Sequence, residues 1–90
     1  MNNMDKDKTG VFSVKSVKEK LISDMLKEVN AALKERGYNP INQIVGYLIS
    51  GDPGYISNYK NCREKITDFD RTEITAIVLE KYIKDIKWDV

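Results

Sequence analysis

The apolar positions of this chain recur at helical spacing in successive blocks, separated by short polar punctuation. From about Ser16 to Arg36, Val17, Leu21, Ile22, Met25, Leu26, Val29 and Leu33 return at intervals of three and four residues, which gathers them on one side of an α-helix. On a helical wheel they cover about half the circumference, wider than the roughly 100° stripe that a single contact surface needs. This helix is therefore expected to meet more than one neighbour. Ser16 followed by Glu19 predicts a capping box at its start, and Gly37 predicts a left-handed stop at its end.

Asn39-Pro40 predicts the next helix start: an amide cap, then a proline whose missing N–H costs nothing at the first helical position. Ile41, Ile44, Val45, Leu48 and Ile49 follow at helical spacing, and Gly51 closes the segment. The short apolar run Ile-Val-Gly-Tyr-Leu-Ile also suits a strand, but the Asn-Pro opening and Gly closing favour a helix. Asp52-Pro53-Gly54 predicts a tight turn. A short helix is expected from about Ser57 to Asp68, with Tyr59, Cys62, Ile66 and Phe69 as its stripe. Asp70-Arg71-Thr72-Glu73 reads as a second capping box, opening a last helix through Ile74, Val78, Leu79, Tyr82, Ile83 and Ile86, with Trp88 either packing back or exposed beyond it. The expected fold is all-α: a compact bundle of about four short helices. Residues 1–13, polar and punctuated by Gly10, are expected to be a mobile tail, and residues 14–90 a single helical domain.

Charge patterning singles out one stretch. Gly37 to Ile56 carries a single charge, Asp52, while both flanks are dense in Lys, Glu and Asp. Its asparagines, glycines and prolines exclude a membrane span, which leaves burial in the core or in a subunit interface. Gly46, costly inside a helix, implies that another backbone approaches closely. Short neighbouring helices cannot easily cover both faces of this element. A two-fold homodimer is therefore expected, packed around residues 41–56 with Ile41, Ile44, Val45, Gly46, Leu48, Ile49 and Tyr55 at the contact.

Composition mainly removes function classes. Ninety residues make one domain, and fifteen Lys and Arg against fourteen Asp and Glu leave a net charge of +1 with no concentrated basic block. Nucleic acid and membrane surfaces are thus unfavoured partners. Histidine is absent, which removes the commonest general base and zinc ligand, and the lone Cys62 has no imidazole to activate it. No nucleophile, base or metal set is present, so neither an enzyme nor a bound cofactor is expected. The amino terminus has no signal-peptide core and no apolar run reaches spanning length, which makes a cytoplasmic protein the default. One alternative has a physical basis. Helix, turn and helix from Pro40 to Phe69 suit a helix-turn-helix nucleic-acid binder, with Ser57, Asn58, Lys60, Asn61 and Arg63 offering base and phosphate contacts.

The run from Gly37 through Tyr38-Asn39-Pro40-Ile41-Asn42-Gln43-Ile44-Val45-Gly46-Tyr47 to Pro53 resembles the signature block of the IreB family, small regulatory phosphoproteins of Gram-positive bacteria. The resemblance extends through Tyr55-Ile56, Asn61, Arg63, Ile66, Asp70-Arg71, Glu73-Ile74 and Tyr82. It implies a cytoplasmic, non-enzymatic homodimer acting downstream of a transmembrane Ser/Thr kinase with extracellular PASTA repeats and of its partner phosphatase, in cell-envelope stress and intrinsic cephalosporin resistance. It further implies a phosphoacceptor threonine near the amino terminus, three residues before a phenylalanine. Thr9-Gly10-Val11-Phe12 matches that spacing, and where some members carry a second threonine three residues earlier this chain has Lys6. Ser13 and Ser16 are weaker acceptors, Ser16 being the expected helix cap.

Overall fold

The computed structural model describes residues 13–88, and every regular element among them is helical. Four α-helices follow in order, α1 (Val14–Glu35), α2 (Pro40–Ser50), α3 (Cys62–Thr67) and α4 (Arg71–Asp85). Two single turns of 3-10 helix, Pro53–Tyr55 and Tyr59–Asn61, lie between α2 and α3. The expected mobile tail, apart from Ser13, lies outside the described residues.

α1 begins a turn earlier than its pattern predicts. Ser13, not Ser16, is the cap: its Oγ accepts from the Ser16 N–H at 3.0 Å and donates to the Ser16 Oγ at 2.9 Å. Ser13 carries the same hydroxyl three positions upstream, and nothing between the two residues breaks a helix. At the other end Gly37, at φ +82°, closes α1 in a Schellman arrangement. Its own N–H donates to the Lys34 carbonyl, and the Tyr38 N–H reaches back to that of Leu33.

The core lies on one stripe of α1. Ile22, Met25, Val29, Ala32 and Leu33 are buried there, covered by Tyr47 of α2, Ile56, Cys62 and Ile66 around α3, and Ile74 and Ile77 of α4. Leu26, Ile44, Leu48, Tyr59 and Phe69 close the edges. As the width of its apolar arc implies, α1 packs on both α2 and α3. Cys62 is fully buried, and burial pushes its thiol pKa up, which suits a packing residue rather than a nucleophile.

α3 starts later than expected. Lys60 and Asn61 both hold left-handed backbone, at φ 52° and 62°, so the helix cannot extend back to Ser57 and begins at Cys62. For lysine that conformation costs about 1–2 kcal/mol. Side chains at the carboxyl end of α1 hold it: Glu35 accepts from the Lys60 ammonium at 2.8 Å and from the Tyr59 hydroxyl at 2.9 Å, while the Arg36 guanidinium stacks over the Tyr59 ring. The bonds from Lys60 and Tyr59 hold the Glu35 carboxyl below its usual range. A lowered folded value means that this contact contributes above the unfolded pKa and is lost as the pH falls through the folded one.

α4 is capped by Asp70, whose Oδ1 accepts from the Thr72 N–H at 2.8 Å. The reciprocal half of the expected capping box is absent, because Glu73 turns outward to pair with Lys18 of α1. Of its apolar positions only Ile74 and Ile77 are buried; Val78, Leu79, Tyr82 and Ile83 remain exposed.

Leu33→Ala removes a fully buried side chain at the centre of this packing and is expected to lower unfolding free energy by about 2–5 kcal/mol in urea titration, whereas Leu21→Ala, on the exposed side of the same helix, costs less than about 1 kcal/mol.

Candidate interaction surface

α2 carries two apolar faces, and only one of them belongs to the core. Asn39 caps the helix, its Oδ1 accepting from the Asn42 N–H at 3.0 Å, and Gly51 ends it in left-handed backbone at φ +77°. Between those stops Pro40 and Tyr47 are buried, and Ile44 and Leu48 pack against the core. Ile41, Val45 and Ile49 fall one step around the helix, at i, i+4 and i+8, and stay out of it: Ile41 is 66% and Ile49 79% exposed. The apolar arc is thus continuous from core to solvent.

Tyr55 extends this stripe. Its ring lies against Gly46, where a Cβ would meet the Tyr55 Cδ1 at 2.6 Å. The close approach inferred at Gly46 is therefore real, but the neighbour is an aromatic side chain of the same chain rather than another backbone. With its ring spread over α2 and still 54% exposed, Tyr55 sets a fourth apolar group beside Ile41, Val45 and Ile49.

The segment that carries Tyr55 has little regular structure, and side chains hold its backbone groups. Asp52 caps the Pro53–Tyr55 turn, its Oδ1 accepting from the Gly54 N–H at 2.8 Å. The Arg63 Nε–H donates to the carbonyls of Pro53 at 3.1 Å and Ile56 at 2.8 Å, and Gln43 Oε1 accepts from the Ser57 N–H at 2.9 Å. Arg71, at the first position of α4, donates to the Leu48 carbonyl at 3.0 Å, with its guanidinium against Gly51. Charge-assisted bonds of this kind exceed neutral ones in strength. Gln43, Arg63 and Arg71 thus position the surface without belonging to it. The spacing of apolar residues carried no sign of them, since each reaches a backbone group distant in sequence.

Three of the five side chains that the nucleic-acid reading offers for contact are engaged within the chain. Arg63 is committed to the Pro53–Ile56 turn, Lys60 to Glu35, and the Ser57 Oγ accepts from the Tyr59 N–H. The helix that would enter a groove has six residues. Of the expected contact set, Ile41, Val45, Ile49 and Tyr55 form one exposed surface with Gly46 beneath Tyr55, while Ile44 and Leu48 serve the chain's own core. Thr9 lies outside the described residues. Among those described, no helix is long and apolar enough to cross a membrane.

Comparison with known families matches residues 7–84 to the IreB regulatory phosphoproteins. The chain belongs to the IreB family. It is also similar to a UPF0297 protein of Ruminiclostridium cellulolyticum, with 47% identity over 79 residues that cover 88% of this chain and 90% of that relative. The family match takes in the whole exposed apolar stripe, its supporting arginines, and Thr9.

Two substitutions test the geometry. Gly46→Ala gains helix propensity of about 1 kcal/mol but drives a methyl into the Tyr55 ring, an overpacking of about 1–3 kcal/mol; a net loss in stability is expected, with Tyr55 ring resonances shifted in NMR spectra. Arg63→Ala leaves the Ile56 carbonyl without its donor and the Pro53 carbonyl with the Ile56 N–H alone, and amide exchange across residues 52–57 is expected to accelerate several-fold while α1 keeps its protection.

Proposed function

We propose that this chain is a non-catalytic regulatory phosphoprotein of the cytoplasm, a homodimer that binds another protein under the control of a transmembrane Ser/Thr kinase and its partner phosphatase. The observation that carries this reading is the IreB family match over residues 7–84, supported by the relative at 47% identity. The resemblance points to cell-envelope stress and cephalosporin resistance as the setting.

Thr9 is the proposed phosphoacceptor. It lies within the matched span, three residues before Phe12 and four before the cap of α1. A phosphate there adds about −1.5 to −2 charge next to Lys8 and Lys6 and upstream of Lys15. Incubation with a kinase of this class is expected to place one phosphate on the chain, and Thr9→Ala to abolish it. Equal labelling of the variant, with the phosphate mapped elsewhere, removes Thr9 from this role.

The dimer contact is proposed on the stripe formed by Ile41, Val45, Ile49 and Tyr55. An apolar face rimmed by the polar Asn42, Ser50 and Asn39 has the make-up of an interface centre, and a helix face placed on a two-fold axis meets its own copy. Ile49→Asp puts a charge at the most exposed of these positions. It is expected to weaken dimerisation at least ten-fold in sedimentation equilibrium, while far-UV circular dichroism stays that of the folded chain. A wild-type monomer at micromolar concentration rules the contact out.

A further inference from the structure

Of the four helices α4 is the least covered. Ile74 and Ile77 are its buried residues, and two ion pairs open to water, Lys18–Glu73 and Lys15–Glu80 at 3.1 Å, close its seam with α1. From Val78 to Asp85 no residue of it is buried. This half is nevertheless apolar on one side. Val78, Leu79, Tyr82 and Ile83 fall at i, i+1, i+4 and i+5, which gathers them on a single exposed face, while Lys81 and Lys84 lie on the opposite one. A helix of this length is marginal in water without a packed face, so the carboxyl-terminal half of α4 lacks the cover that would hold it.

The exposed face of α4 is continuous with that of α2. Between the two helices runs an open cleft of about 360 Å³, with Leu48 on one bank and Arg71, Thr72, Thr75 and Ala76 on the other. The bond from Arg71 to the Leu48 carbonyl ties the banks together. On α4 the lining residues Thr72, Thr75 and Ala76 lead, at steps of three and four, to Leu79, Tyr82 and Ile83; on α2, Leu48 leads back by the same steps to Val45 and Ile41. Both unpartnered apolar sets therefore flank one groove.

We infer that this groove receives the α2 stripe of a second copy, so that α4 forms the outer wall of the dimer contact and its carboxyl-terminal half is covered only in the dimer. This rests on the reading of the chain as a homodimer through α2. The amount of surface argues for it. A stable interface takes roughly 800 Å² and 20–30 residues from each side, and the four side chains Ile41, Val45, Ile49 and Tyr55 fall short of that. Val78, Leu79, Tyr82 and Ile83 double the number of apolar anchors, and a two-fold axis repeats every contact they make. Charge favours the same occupant: from Gly37 to Ile56 the one charged residue is Asp52, so the α2 stripe enters an apolar groove without taking a charge out of water. The lengths also match, since α2 and the stretch of α4 from Thr72 to Ile83 each run about 16–18 Å.

The test reads α4 while association is changed at α2. Sedimentation equilibrium gives the dissociation constant of the full chain, and amide hydrogen exchange across residues 78–85 is measured well above and well below it. Exchange there is expected to be at least ten-fold faster in the monomer, with Ile22–Leu33 of α1 unchanged. Ile49→Asp, a change confined to α2, is expected to bring residues 78–85 to the monomer rate at concentrations where the wild type is protected. Leu79→Asp is expected to weaken dimerisation at least ten-fold. Should that chain lose its helical circular dichroism, Tyr82→Ser carries the same expectation. A dimer whose 78–85 exchange matches that of the monomer overturns the inference and leaves the α2 contact standing, as does a folded Leu79→Asp or Tyr82→Ser chain that dimerises like the wild type. A wild-type monomer at micromolar concentration instead removes the α2 contact, and this inference with it.

Discussion

Everything in this structure is organised by the burial of one stripe of α1. A chain of this length has a single helix long enough to act as a spine, and the residues that cover it come from elements of one to four turns. Short elements cannot be stable by themselves, because nucleating a helix costs more than its first bonds return. α3, with six residues, exists because Cys62 and Ile66 find Val29 and its neighbours beneath them. The 3-10 turns around it exist because arginine and glutamate side chains reach in to bond them. Remove the stripe and the short elements lose the apolar surface they share.

That economy leaves faces uncovered. A spine helix with three short neighbours has too little protein to shield every apolar position, so Ile41, Val45 and Ile49 on α2 and Val78, Leu79, Tyr82 and Ile83 on α4 stand in solvent. The two exposed sets differ in how they are held. α2 is fixed at both ends by an asparagine cap and a left-handed glycine, and braced by Tyr55, Gln43 and Arg71. α4 is seated by two isoleucines, one arginine and two open ion pairs. A rigid apolar surface suits permanent association; a helix on a weaker seat suits a change of state.

What the sequence made legible was local chemistry. Asn39, Gly37, Gly51 and Asp70 each act on backbone groups within a few residues, and all four sit where their types require. The helical period of α1 and α2 was equally plain. What stayed hidden was chosen by distant partners. Two serines three apart could each have capped α1, and only the formed helix shows that Ser13 does. Glu73 could complete a capping box until Lys18 offers a charge across the seam. Asparagine adopts left-handed backbone readily but lysine does not, and it is Glu35, bonded to the Lys60 ammonium, that holds Lys60 there. Gly46 announced a close approach truthfully, but a glycine reports only that space is needed, not what fills it. Within the expected contact set, Ile44 and Leu48 cannot be told from Ile41 and Val45 by residue type; a rotation of about 60° around the helix, the offset of residues three apart, separates core from exterior.

The last turn of α4 settles how this molecule should be watched. Trp88 is the only indole in the chain, two-thirds exposed, with its Nε1–H donating to the Ile83 carbonyl at 3.3 Å. It belongs neither to the buried core nor to the side chains packed against it. Its emission reports whether the carboxyl-terminal carbonyls of α4 remain dressed, and it will respond to fraying there long before the spine opens. Optical melts followed through that fluorophore will record an early, shallow event and miss the main one, whereas Tyr47, buried in the core, and Tyr59, packed against it, observe the core directly.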